Sequence, residues 1–219
     1  MHARNAILLC ATAALLTTAA QAQPANPTNR TLSLRIAKIA GSAVDCLFKT
    51  GTACTDTTSA SVGVAIFSLA GATGNAQVQT NTFFGVPNTV GAGKTAYLYR
   101  VDLAEVVALG EFACITDMTI NFGPITQLPY VRPGQLDDVF VITEGGIGSI
   151  GLLSAEQSSR GITFTFEKPI CATQFAGTGE ASFFFGLASA TGPKSSSATL
   201  AQPGVEGELT AGTQTPARP

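Results

Sequence analysis

A strict alternation of apolar and polar residues over 162–167 is the feature that most constrains the fold. Isoleucine or phenylalanine alternates there with threonine or glutamate. This period of two predicts a β-strand with one buried and one solvated face. The segment 182–188 is apolar on both faces, which predicts a central strand or one whose outer face is covered by a loop. We expect these strands to form an antiparallel pair, with Pro169 ending the first because proline has no N–H for a ladder.

The first 22 residues have the pattern of a secretory signal peptide. Arg4 precedes an apolar run over 6–16, and residues 20–22 form a small-x-small cleavage site. The run is shorter than the ~20 residues that a spanning helix needs, and the bulky Leu9 before Cys10 argues against lipidation. We therefore expect export to the periplasm, the cell surface or the medium, most simply from a bacterium, without a membrane span.

Four cysteines follow the expected cleavage point, at Cys46, Cys54, Cys114 and Cys171. An even count in an oxidising compartment predicts two disulfides. Three pairings are open, and we favour Cys46–Cys54 and Cys114–Cys171. A metal site is the alternative, but no close C-x-x-C spacing and no histidine support one, so we expect no metal and no cofactor.

Short strands separated by turn residues fill the remaining chain. Further strands are predicted over 31–39, 62–69, 77–86, 95–101, 112–122, 139–143 and 150–153, and Leu200 and Leu209 could edge a sheet. Residues 44–58 are expected to form a cysteine-clipped loop and 70–75 a glycine-rich turn. The one helix candidate is 102–109, with Asp102 as its N-cap and Gly110 as its stop; continuation of the preceding strand is the alternative.

These elements predict an all-β fold, an antiparallel β-sandwich or jelly roll of about ten strands with at most one short helix. We expect a signal peptide over 1–22, a flexible lead over 23–30, one domain over 31–210 and a disordered tail over 211–219.

Two glycine-rich segments resemble nucleotide-binding motifs. Residues 146–151 match G-x-G-x-x-G, but the 152–157 segment is too short for the crossover helix that the motif needs. Residues 91–95 resemble a phosphate-binding loop, but Asn88 replaces its first glycine and a strand follows. Both segments are expected to be turns.

Histidine is the most informative absence from the sequence. The single histidine, His2, falls within the expected signal peptide, so the mature chain lacks the base of a Ser-His-Asp or Cys-His mechanism. The formal net charge of −2 gives no basic footprint for nucleic acid.

Carboxylates and tyrosines remain as candidate ligand contacts. Asp137 and Asp138 could bind an ion with nearby carbonyls, or could simply lie in a solvated turn. Tyr97 and Tyr99 could stack on a sugar, although the chain has no tryptophan. Two carboxylates facing one cleft could also form a glycosidase pair.

Three functional hypotheses follow. The first is a non-catalytic binding or adhesion module at the cell surface or in the periplasm, whose ligand is a polysaccharide or a protein. The second is a structural subunit of a fimbria-like polymer, in which residues 31–39 complete a neighbour's sheet by strand addition. The third is a polysaccharide hydrolase that uses two carboxylates. Export, disulfides and the missing histidine favour the first.

Overall fold

The computed structural model describes residues 31–49, 61–110 and 113–217. This described part is mostly β-structure and contains fourteen strands and one helix. The strands are β1 (Leu32–Ser33), β2 (Ile36–Ala40), β3 (Ser61–Phe67), β4 (Ala72–Gly74), β5 (Ala76–Phe84), β6 (Thr95–Asp102), β7 (Val106–Ala108), β8 (Cys114–Ile120), β9 (Val139–Glu144), β10 (Leu152–Ser158), β11 (Gly161–Cys171), β12 (Phe185–Ser189), β13 (Pro193–Ala201) and β14 (Leu209–Pro216). The helix is α1 (Gly41–Phe48). Within the described ranges, no helix is long and apolar enough to cross a membrane.

The strands form two six-stranded sheets and one small ladder. The first sheet has the order β1-β10-β11-β8-β13-β14, and the second has the order β2-β9-β12-β6-β5-β3. The ladders are antiparallel except for β2 with β9, which run parallel. Strands β4 and β7 form a separate antiparallel pair. The all-β, largely antiparallel class predicted from the sequence is confirmed.

The main hydrophobic core contains side chains from both large sheets. Phe164 and Phe166 of β11 meet Phe185 of β12, with ring centroids 4.9 and 5.9 Å apart. The predicted antiparallel pairing of these two segments is therefore wrong, because β11 lies in the first sheet and β12 in the second. The alternation showed which side chains are buried. It did not show whether those side chains contact a strand of the same sheet or a strand of the opposite sheet.

The central strands of the second sheet, β9, β12 and β6, are buried on both of their faces. A second hydrophobic cluster lies on the outer face of this sheet. It contains side chains of α1, of strands β2, β5, β6, β9 and β12, and of Leu128 and Tyr130. Strand β12 lies between β9 and β6 and is buried along its whole length. This confirms the central position predicted from its two apolar faces.

The helix lies elsewhere than predicted. Asp102 ends β6, and its Oδ1 accepts a hydrogen bond from the Ala104 N–H at 2.9 Å within a turn that leads into β7. The predicted helix over 102–109 is wrong, because the N-cap signal here initiates a turn instead. Helix α1 occupies the start of the segment predicted as a loop, and its Val44 and Phe48 are buried against the second sheet.

Three other boundaries are corrected. The predicted strand over 31–39 is broken at Leu34 and Arg35, so that β1 joins the first sheet and β2 the second. Pro169 lies within β11, where the pairing register with β8 is irregular between Thr165 and Ile170 and no ladder N–H is required. The predicted disordered tail is wrong from its start at residue 211 through Pro216, because β14 pairs with β13 over eight residue pairs there.

The predicted Cys114–Cys171 disulfide is confirmed. The two cysteines are directly opposite each other on β8 and β11, with their Cα atoms 4.0 Å apart. Cys46 lies on α1 and is also disulfide-bonded. Cys54, its predicted partner, lies outside the described residues, as do residues 1–22 and 23–30, which were predicted to be a signal peptide and a flexible lead.

Both glycine-rich segments are followed by strands. Residues 146–151 lead into β10, and residues 91–95 lead into β6. The helix that would orient a nucleotide phosphate is replaced by a strand at both sites, which confirms the interpretation of these segments as turns.

Candidate functional site

A cavity of about 260 Å³ lies on the outer face of the second sheet, beneath α1. We call it the helix cavity. Its lining comprises Gly41, Val44 and Asp45 of α1, Asn81 and Phe83 of β5, Leu98 of β6, Ile142 of β9, Gly145, Gly146 and Ile147 of the following loop, and Phe184. Five separate stretches of the chain, 41–45, 81–83, 98, 142–147 and 184, therefore converge on one concave surface.

Local sequence explains how the polar group of this cavity is positioned. Alternation along β5 places Val78 and Thr80 on the core face of the strand and Asn81 and Phe83 on the opposite face. Asn81 is directly opposite Leu98 on β6, so the two strands present a polar and an apolar side chain to the same opening. Most of the remaining lining is aliphatic, aromatic or glycine, as is usual for small-molecule sites.

The carbonyl oxygen of the Asn81 side chain is the unusual atom in the lining. This Oδ1 is buried and has no hydrogen-bond partner among the described residues. A buried acceptor without a donor costs roughly 1–3 kcal/mol. Such an atom within an apolar cavity is typical of a group that a ligand or a bound water satisfies.

A charged cluster continues the same face beyond the cavity. Arg100 of β6 donates through Nη1 to Asp102 at 2.6 Å and to Gln79 at 3.2 Å. The register pairs Gln79 with Arg100 and Asn81 with Leu98, so the arginine lies one pleat beyond the cavity wall. Its Nε–H is buried and unpaired within the described part of the chain.

Two of the larger depressions are less suitable. One of about 520 Å³ is lined by Gln202, whose side-chain amide already bonds the backbone N–H and carbonyl of Ala70. The other, of about 420 Å³, lies on the first sheet, where the hydroxyls of Thr119 and Thr163 satisfy each other at 2.9 Å. In both places the inner polar groups are largely occupied by protein partners.

The structure places Tyr97 and Tyr99 in the core. Both side chains are fully buried, and their hydroxyls donate to the carbonyls of Thr191 and Gln214 at 2.7 Å. Burial raises the pKa of Tyr97 to about 12 and raises that of Tyr99 well above the ordinary value. A surface stacking role for these rings, predicted from the sequence, is incompatible with this position.

Asp137 and Asp138 are also buried, so the solvated turn considered from the sequence is wrong. The Asp138 carboxylate accepts hydrogen bonds from the Arg35 backbone N–H and from Gln127 Nε2, both at 2.8 Å. Asp137 Oδ1 accepts from Gln135 Nε2 at 3.3 Å, while its Oδ2 is buried without a partner in the described chain. Among the described residues, no group of three or more histidine, cysteine or acidic side chains could hold a metal ion.

These aspartates influence a neighbouring tyrosine. Burial raises the pKa of Tyr130 above its ordinary value, and the negative charges of Asp138 and Asp137 raise it further. Asp137, Asp138 and Tyr130 thus form a buried group on the outer side of the second sheet. Through Asp138 this group connects the segment before β9 to the N-terminal strands.

Sequence reasoning missed the helix cavity. Its polar members, Asp45 and Asn81, belong to no motif, and α1 was predicted as a loop. One signal was present: the residues Gln77, Gln79 and Asn81 alternate along β5 with buried ones. That pattern marks a polar outer face, but not the helix that covers part of it.

No family model matches the chain, and no curated protein or solved structure matches it either.

Proposed function

We propose that this chain is an exported, non-catalytic β-sandwich protein that binds a small ligand, or one part of a larger one, in the helix cavity. Its place of action is the periplasm or the cell surface. The sandwich is supported by the shared core, in which aromatic rings of β11 pack against a ring of β12 from the other sheet. Export is supported by the N-terminal sequence pattern.

The observation that carries the binding function is the buried, unpaired Asn81 Oδ1 in an otherwise mainly apolar cavity. A concave apolar surface with a few convergent polar groups is the usual form of a ligand site. The volume of about 260 Å³ suits a compact ligand or a single protruding group.

The lining supports binding more than catalysis. Asp45 is the one carboxylate among the described lining residues, whereas glycoside hydrolysis uses a pair of carboxylates across a cleft. The sequence contains no histidine after His2. The hydrolase alternative therefore receives no support from this cavity.

The test fills the cavity and compares ligand uptake. Leu98→Phe adds volume to the wall, and Leu153→Phe makes the same change on β10, where the leucine is 68% exposed. A fragment library is screened against the mature wild-type protein by ligand-observed NMR. Fragments should bind wild type and Leu153→Phe, but not Leu98→Phe. If Leu98→Phe does not fold, Val44→Leu serves as the milder variant.

Equal fragment binding by all folded variants, or no binding by wild type, would show that the helix cavity is not a ligand site.

A second candidate function is assembly by strand exchange, and the position of residues 32–40 favours it. Strand β1 is the edge of the first sheet and β2 is the edge of the second, among the described strands. A single continuous segment therefore supplies one edge to each sheet. Its Leu34, Ala37 and Ile39 are buried, so a second copy could offer the same side chains to the same positions.

Assembly is tested with the mature chain at high concentration and with a labelled peptide of residues 31–40. Exchange should give dimers or filaments in light scattering and electron microscopy, and a chain lacking residues 31–40 should take up the peptide. A monomer at every concentration, with a truncated chain that ignores the peptide, would exclude this function.

A further inference from the structure

We propose that Asp137 and Tyr130 hold a calcium ion on the outer side of the second sheet, next to the carboxylate of Asp138. This site is separate from the helix cavity, and the proposal does not depend on ligand binding there. Three observations lead to it. Two buried oxygen atoms have no partner in the described chain, two buried negative charges have no ion pair there, and the neighbouring side chains offer further oxygen atoms.

The oxygen atoms without a partner are Asp137 Oδ2 and Tyr130 Oη. The two side chains are only 2% and 4% exposed, and neither atom has a hydrogen-bond partner among the described residues. The other carboxyl oxygen of Asp137 accepts one long bond, at 3.3 Å from Gln135 Nε2. A carboxylate can accept about four hydrogen bonds, and a buried polar atom that makes none is destabilising, most of all when it is charged. A bound positive ion would supply the missing partner.

The backbone brings these two side chains into one group. The Leu128 carbonyl accepts hydrogen bonds from the N–H groups of both Asp137 and Tyr130, each at 3.0 Å. Leu128 and Asp137 are directly opposite each other in an antiparallel bridge. Burial, and after it the negative charges of Asp138 and Asp137, raise the pKa of Tyr130. The phenol hydroxyl therefore lies within the electrostatic reach of both carboxylates.

Asp137 and Asp138 bring two formal negative charges into this group. The carboxylate of Asp138 accepts from the Arg35 backbone N–H and from Gln127 Nε2, both at 2.8 Å, but these neutral donors do not cancel its charge. The ion pairs within the described ranges are made by other residues. A buried charge without an opposite one is strongly disfavoured. A divalent cation beside Asp137 would neutralise both carboxylates.

The chemistry of the donor atoms selects the kind of cation. Carboxylate and amide oxygens favour a hard cation over zinc or copper, which prefer nitrogen and sulfur ligands. The amide oxygens of Gln127 and Gln135 are further candidates, since both residues contact the aspartates through Nε2. Calcium accepts irregular sets of oxygen ligands, whereas magnesium requires near-ideal octahedral geometry and retains several waters. Gln135 is exposed, so the ion has a path from solvent.

The small number of charged ligands predicts weak binding. The described residues contain no cluster of three acidic, histidine or cysteine side chains that could hold an ion, so this site relies on carboxylates in one dipeptide and on neutral oxygens. Calcium sites of extracellular modules have dissociation constants of about 10⁻⁴–10⁻³ M. At about 10 mM free calcium, such affinities raise the folding equilibrium constant roughly ten- to a hundredfold, because the ion binds the folded chain.

The experiment measures denaturant unfolding of the mature chain in EDTA, in about 10 mM calcium chloride and in about 10 mM magnesium chloride, at constant ionic strength. The variants are Asp137→Asn, Tyr130→Phe and Asp117→Asn. Tyr130→Phe removes only the hydroxyl oxygen and keeps the ring beside Phe140. Asp117→Asn is the control, because Asp117 lies on the first sheet and accepts a bond from the Thr165 hydroxyl.

Calcium should stabilise wild type and Asp117→Asn by the factor given above, and magnesium should stabilise them much less. Asp137→Asn and Tyr130→Phe should each lose most of the calcium effect. In EDTA, Tyr130→Phe should be at least as stable as wild type, because it removes an oxygen that has no partner. Calcium should also change the tyrosine absorbance of wild type but not that of Tyr130→Phe. If Asp137→Asn does not fold, Tyr130→Phe decides the question.

Equal stability of wild type in calcium and in EDTA would overturn the proposal. An equal calcium effect in all variants would also overturn it, because the ion would then bind elsewhere on the molecule. A magnesium effect as large as that of calcium would overturn the choice of calcium. None of these outcomes bears on ligand binding in the helix cavity, which the fragment screen tests separately.

Discussion

At the scale of single residues, the tyrosines show how strongly the interior depends on neutral side chains. The chain has three tyrosines, Tyr97, Tyr99 and Tyr130, and all are buried. Burial is the largest cause of the raised pKa at each one. The folded protein therefore holds these phenols in their protonated form at pH values where an unfolded chain would begin to lose the protons.

This linkage predicts alkaline unfolding. The pKa of Tyr97 rises from 10.0 to about 12 on folding, so above pH 10 the unfolded state binds fewer protons than the folded state and is favoured. The tyrosine contribution to stability should be nearly constant below about pH 9, and above it stability should fall by up to about 1.4 kcal/mol per pH unit for each tyrosine. Tyrosinate absorbance should appear together with the loss of circular dichroism.

The control is the same titration in denaturant, where tyrosinate should form near the ordinary pKa of about 10. Tyr97→Phe should reduce the steepness of the alkaline transition. Tyrosinate absorbance that develops near pH 10 while the native dichroism persists would contradict the prediction.

At the scale of elements, one buried aspartate holds the break between β1 and β2. Asp138 Oδ2 accepts from the Arg35 N–H, and the backbone N–H groups of Asp138 and Val139 donate to the Arg35 carbonyl at 3.0 Å. All these bonds converge on the residue where the chain passes from one sheet to the other. The Lys38–Glu167 ion pair adds little, because both side chains are well exposed.

We expect Asp138→Ala to loosen the N-terminal edge before the rest of the fold. It removes the acceptor of the Arg35 N–H and of Gln127 Nε2, and bonds to a charged acceptor contribute about 1.5–3 kcal/mol each. Hydrogen exchange should show lost protection over residues 34–40 while β6 and β12 remain protected. Asp117→Ala, which removes a hydrogen bond to the Thr165 hydroxyl on the first sheet, should leave residues 34–40 unchanged.

Uniform loss of protection in Asp138→Ala, or none at all, would show that this carboxylate does not control the edge segment locally.

Much of the strand inventory could be predicted, because a period of two reports directly which faces are buried. The segments over 62–69, 77–86, 95–101 and 139–143 all correspond to strands. Strand pairing could not be predicted, because the apolar patterns of β11 and β12 would be unchanged whether the two strands lie side by side in one sheet or face each other across the core. The sheet change at Arg35 depends on Asp138, a residue 103 positions away.

The candidate site was beyond sequence reasoning for a related reason. The cavity exists because α1 covers the end of the second sheet, and the helix was hidden in a segment whose cysteines suggested a loop. Conversely, Tyr97 and Tyr99 were considered as surface aromatic residues, although the continuous apolar run over 96–99 is typical of a strand that is buried on both faces. Asn81 became informative only when its burial and missing partner were visible.

At the scale of the whole molecule, contacts of several kinds connect the two sheets. The hydroxyls of Thr80 and Thr213 lie 2.9 Å apart between β5 and β14, and Tyr99 donates to the Gln214 carbonyl across the same side. The Cys114–Cys171 disulfide instead joins two neighbouring strands within the first sheet. It therefore restrains the chain between its ends without itself linking the two sheets.

Removing this disulfide should lower global stability. Closing a loop of 57 residues contributes about 4 kcal/mol in the chain-entropy treatment, and measured values are commonly 2–4 kcal/mol. Denaturant unfolding of the Cys114→Ala, Cys171→Ala double variant should show a loss in this range. A Thr116→Ala variant on the same strand, whose hydroxyl makes an exposed bond to the Ala201 carbonyl, serves as the control. A loss below about 1 kcal/mol in the double variant would contradict the prediction.

The edge position of residues 32–40 has a consequence for the timing of biosynthesis. Asp138 is translated 103 residues after Arg35, and Glu167 follows Lys38 by 129. A ribosome that has released this segment must therefore add more than a hundred residues before its binding partners exist. Neither sheet can be closed on that side until residues 139–158 have been synthesised, and such long-range pairing slows folding. The strands that are synthesised first therefore wait for partners that are made more than a hundred residues later.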